Sequence, residues 1–71
     1  MQNVSTAKID GARLRIARET AGYSQSQVAE KIGVTKETVS NYENNYGKPS
    51  ANMLVRLCML YQIDARHLIA N

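Results

Sequence analysis

The stretch from Ser24 to Asn44, SQSQVAEKIGVTKETVSNYEN, leaves the chain few options. Ser24 can cap a helix, and Gln27, three positions on, completes a capping box. Gly33 can close that helix with a positive φ, and Thr35 can cap a second one at once. Two short helices must therefore meet across a very tight turn. Val28, Ala29 and Ile32 form the apolar face of the first, and small Ala29 lies where the helices cross. Val39 and Tyr42 form the apolar face of the second. At roughly 100° per helical residue, Lys36, Glu37, Ser40, Asn41 and Asn44 fall on a separate, polar stripe of that helix.

The flanking chain reads as more helix. Asp10 caps a helix over 11–21, with Leu14, Ala17 and Ala21 inward and Gly22 as its stop. After Glu43 the run NNYGKPS reads as a loop. Ser50 caps a fourth helix over 51–61, with Leu54, Leu57, Cys58 and Tyr61 inward, and Ile63 tucks in behind it. Asp64 caps a short fifth helix over 65–70, anchored by Leu68. Residues 1–9 read as a flexible N-terminal arm, and 10–71 as one all-α domain whose two-helix unit spans 24–44.

Composition narrows the function. Seventy-one residues make one domain, and a chain of this size buries only about 60% of its unfolded surface. Apolar residues make up 44%, too many for a disordered tail. A net charge of +3 leans towards an acidic partner. Cys58 is the only cysteine and His67 the only histidine, so no intramolecular disulfide can form, Cys58 has no companion for a zinc site, and no Ser-His-Asp set is apparent. The sequence thus points to no enzyme, cofactor, metal or small-molecule ligand. The most apolar stretch, 53–61, is broken by Arg56 and is far short of the roughly 20 residues a bilayer span needs.

Lys, Glu, Ser and Asn are side chains whose donors and acceptors match base edges in the DNA major groove. A solvated helix face is the plain alternative for such a stripe. The two-helix pattern around it favours the nucleic-acid reading. Lys36 suits guanine and Asn41 suits adenine. Glu37 either accepts from the cytosine amine or only pairs with Lys36, and Ser40 reaches a base directly or through water. Gln25, Thr35, Asn44 and Lys48 are candidate phosphate contacts, together with the amides at the start of the second helix.

The chain resembles the phage-repressor and Cro type of helix-turn-helix domain, the xenobiotic-response-element (XRE) family, over about Gly11 to Leu68. The marks are Leu14, Ala17-Arg18, Gln25, Ala29, Gly33-Val34, Val39, Tyr42-Glu43, Pro49-Ser50, Leu54, Leu57 and Leu68. The resemblance implies a five-helix, lambda-repressor-like fold with helix 36–43 as the recognition helix. It also implies a structural ion pair between Arg18 and Glu43, and a Gln25 that braces the recognition helix and touches a phosphate. It points to a transcriptional repressor of the bacterial or phage cytoplasm, homodimeric on a palindromic operator. Val55 and Met59, with Leu60 and Ile69 at the edge, are candidates for the dimer or partner surface. The alternative is an antitoxin, or the DNA-binding front end of a longer repressor.

Overall fold

The computed structural model describes residues 8–70, and the expected arm over 1–7 lies outside them. The capping residues act as their local chemistry dictates. Asp10 accepts from the Ala12 amide and opens α1 (Gly11–Ala21). The reciprocal Ser24–Gln27 box opens α2 (Gln25–Ile32). Thr35 accepts from the Thr38 amide at the start of α3 (Lys36–Glu43), and Ser50 from the Met53 amide at the start of α4 (Ala51–Tyr61). Gly22 and Gly33 end α1 and α2 in the left-handed region, at φ 86° and 78°. The end of α4 was less predictable, because the left-handed cap there is Gln62, at φ 57°.

Four α-helices form among the described residues, not five. The expected last helix is a single 3-10 turn, Ala65–Leu68, that Asp64 caps through the Arg66 amide. The chain then straightens into β2 (Ile69–Ala70) and pairs antiparallel with β1 (Lys8–Ile9), Ile9 opposite Ile69. The Asp10 amide donates to the Leu68 carbonyl at 2.7 Å, next to this pairing. Lys8 and Ile9, read from the sequence as loose arm, are therefore held against the far end of the chain. Four residues cannot complete a stable α-helical unit on their own. Burial of Leu68 and pairing of the β-branched Ile69 decide the conformation instead.

The core is Leu14, Val28, Ala29, Ile32, Val39, Leu57, Tyr61 and Leu68. Each helix and the 3-10 turn contributes to it. Met53, Leu54, Cys58, Leu60 and Ile63 are half-buried and pack against its edge. Ala21, expected inward, is exposed. The Tyr61 phenol is pushed up to about 12, first by burial, so it stays neutral and acts as a large core side chain. Tyr23 lies 6.5 Å from its ring, with Lys31 Nζ 5.7 Å above the Tyr23 centroid.

Candidate nucleic-acid interface

The turn between α2 and α3 is locked from both sides. The Gly33 and Val34 amides both donate to the Ala29 carbonyl at 2.9 Å, which folds the chain back directly after α2. Buried Ala29 and Val39 then let the two helices pack closely. With Val39 inward and Tyr42 half-buried, the opposite side of α3 faces solvent. Lys36, Glu37, Asn41 and Asn44 are exposed on it and Ser40 is half-buried. The structure thus places the polar stripe outward.

A buried ion pair sets how α3 sits on α1. Arg18 donates from Nε to Glu43 Oε2 at 2.7 Å and from a terminal nitrogen to Oε1 at 3.1 Å. Its third contact is the Tyr23 carbonyl at 2.8 Å. Gln25 Nε2 donates to Glu43 Oε1 at 3.0 Å, which brings α2 into the same network. Both charged residues are only 8% exposed, yet every strongly buried side-chain polar atom among the described residues has a partner. The hydrogen bond that Arg18 donates to Glu43 raises the Arg18 pKa above its ordinary value. Glu43 therefore joins three helices at one carboxylate.

The remaining sequence candidates spread around this centre. Thr35 is exposed at the start of α3, and Lys48 is exposed in the loop that follows it. Asn44 donates from Nδ2 to the Ser40 carbonyl at 2.9 Å and is near Ser40 Oγ at 3.3 Å. On α4, Val55 and Met59 are 57% and 72% exposed. Leu60 and Ile69 are not: both are half-buried, Leu60 against the core and Ile69 in β2. Cys58 is half-buried, and burial raises its thiol pKa.

Two residues that sequence reasoning passed over also hold α3. Asn45 sits at φ 61°, and its Oδ1 accepts from the Gly11 amide at 2.9 Å. Gly11 is buried because α1 begins against the end of α3. A Cβ there would stand 2.5 Å from the carbonyl oxygens of both Tyr42 and Glu43. The Asn44-Asn45 pair carries a partial signal, since Asn tolerates the left-handed region at a helix end. Gly11 carries none.

Residues 14–68 match the helix-turn-helix family model. The HTH-type transcriptional regulator ImmR of Bacillus subtilis is 39% identical over 59 residues, which cover 83% of this chain and 46% of ImmR. Antitoxin HipB of Escherichia coli is 44% identical over 51 residues, 72% of this chain and 54% of HipB. The chain thus spans about half the length of these curated relatives. The crystal structure of the biofilm master regulator SinR in complex with DNA superposes with a TM-score of 0.73 at 34% identity, covering 82% of this chain and 97% of that one. A locked α2–α3 turn and a matching family model agree, and the chain belongs to the XRE-type helix-turn-helix family.

Proposed function

We propose that this chain binds double-stranded DNA at a specific operator and regulates transcription, as a repressor that occludes a promoter. The observation that carries the reading is the Glu43 network, which ties α1, α2 and α3 together while the Lys36–Asn41 side of α3 stays free. In this reading α3 enters the major groove. Lys36 donates to guanine, Asn41 pairs with adenine, Glu37 accepts from cytosine and Ser40 reaches a base directly or through water. Gln25, Thr35, Asn44, Lys48 and the first amides of α2 hold phosphates and set the register. Gln25 and Asn44 already donate within the protein, so each shares or exchanges a bond on binding. Regulators such as ImmR and SinR support the assignment.

Selection of bound sequences from a random duplex library, at stated salt, tests this directly. Asn41→Ala is expected to lose about 1–3 kcal/mol of affinity and to relax the preference at one base pair per half-site. An Asn41→Ala motif identical to wild type would remove Asn41 from base readout. Failure of the wild type to enrich any motif would remove the operator.

The exposed Val55 and Met59 pair on α4 supports a homodimer that reads a palindrome with half-sites about 34 Å apart. Met59→Asp is expected to shift the dimerisation curve at least tenfold to higher concentration, since it places a charge on apolar contact surface. An unchanged sedimentation profile would assign the surface elsewhere. The HipB match favours a second reading, in which this chain is an antitoxin and α4 meets a toxin. A pull-down against the products of neighbouring genes separates the two.

A further inference from the structure

We infer that Arg15 is a phosphate-neutralising residue and that Glu19 holds it in reserve. The inference rests on the DNA-binding reading above and adds a cation to it. Between the outer face of α1, the start of α2 and the end of α3 lies an open cleft whose polar lining is Arg15, Arg18, Glu19, Gln25, Glu43 and Asn44. Gln25 and Asn44 are two of the proposed phosphate contacts, so the cleft lies where a DNA strand would pass.

The charges in the cleft are not equally available. Arg18 and Glu43 neutralise each other in a buried bidentate pair. The amides of Gln25 and Asn44 already donate within the protein. The cation free to meet a phosphate among these lining groups is Arg15. Its guanidinium lies 3.3 Å from Glu19 Oε2, and the two side chains are 65% and 53% exposed. An exposed pair of this kind holds its partners weakly. Here the arginine precedes the glutamate along the helix, the less favourable order for an i,i+4 pair. Glu19 also stands 4.0 Å from Arg18, so it is not bound to Arg15 alone. Glu19 accepts one N–H bond from Arg15, whereas a phosphate can accept two parallel ones from the guanidinium. Arg15 then leaves Glu19 on binding. The exposed Glu19 carboxylate lowers affinity both by retaining Arg15 and by repelling the strand.

Four proteins decide the matter: wild type, Arg15→Ala, Glu19→Gln and the double variant. Anisotropy titrations use the duplex selected by wild type and an unrelated duplex, across a salt series. Arg15→Ala is expected to weaken both duplexes alike, by about eightfold per bound monomer at 0.1 M salt, and to flatten the log–log salt slope by about 0.9 per monomer. Glu19→Gln is expected to tighten binding about two- to fivefold, an advantage that shrinks with salt. Most of that gain is expected to vanish in the double variant. Melting temperatures should stay within a few degrees, because the pair is exposed. An Arg15→Ala protein with wild-type affinity and slope would overturn the inference. So would a Glu19→Gln gain undiminished without Arg15, which would make Glu19 a general surface charge. If wild type retained no duplex even at low salt, the DNA-binding reading itself would fall, a result distinct from both.

Discussion

Glu43→Ala is expected to lose about 3–5 kcal/mol of stability, because it leaves the Arg18 guanidinium buried without its counter-charge. Arg18 would keep only the Tyr23 carbonyl and the exposed Glu19 carboxylate 4.0 Å away, and Gln25 would lose its acceptor. A domain of this size has total stability on the order of 4–10 kcal/mol, so the loss removes a third or more of it. At roughly 4–8 °C per kcal/mol for a small domain, the melting temperature should fall by at least 12 °C. Arg18→Ala should behave alike, now leaving a buried carboxylate with Gln25 as its one neutral donor.

The informative control replaces both charges. Arg18→Met with Glu43→Leu removes the pair without orphaning either partner, and such exchanges are often neutral or stabilising. If the double variant melts near wild type while each single variant collapses, the pair contributes orientation of α3 more than net stability. DNA affinity then reads that orientation separately, since α3 would have lost its tie to α1 and α2. Single variants that melt within a few degrees of wild type would show that solvent reaches the pair and that its burial has little energetic weight.

The contrast between this pair and the caps explains what the sequence could reveal. Asp10, Ser24, Thr35, Ser50 and Asp64 each bond an amide two or three residues away. Chemistry that local is written in the order of residues, so the starts of all four α-helices could be read directly. The polar stripe of α3 was legible for the same reason, since helical periodicity alone assigns it a face. Arg18 and Glu43 are 25 positions apart. Only resemblance to a known family linked them, and burial then gave the link its meaning. The pairing of Lys8–Ile9 with Ile69–Ala70 spans the whole domain, and neither segment carries a signal for the other. The local Asp64 cap suggested a helix there, and the tertiary pairing overrode it. Leu60 and Ile69, expected at the edge of the α4 surface, are half-buried by neighbouring elements for a related reason. Periodicity gives a face, but not which other element covers it.

Gly11→Ala is the second large effect, expected at about 2–3 kcal/mol of lost stability although it adds a single methyl group. On an isolated helix the change would help, since Ala exceeds Gly by up to about 1 kcal/mol in helix propensity. Here the new Cβ would stand 2.5 Å from two carbonyl oxygens, those of Tyr42 and Glu43. Both are backbone atoms at the end of α3, so no side chain can rotate aside. Either α1 or the last turn of α3 must move, and overpacking of this kind typically costs 1–3 kcal/mol, occasionally more. Any shift that relieves the clash would also strain the bond from the residue 11 amide to Asn45 Oδ1. Asn45→Gly separates these contributions, because it keeps the left-handed backbone at position 45 and removes only the acceptor. Its loss should be about 1 kcal/mol, the ordinary net worth of one hydrogen bond. If Gly11→Ala is clearly the more damaging, and weakens DNA binding even at temperatures where it is folded, then close approach of α1 to α3 positions the groove-reading face. If instead it melts at or above wild type, α1 can slide along α3 freely, and the position of that face depends on the Arg18–Glu43 pair alone.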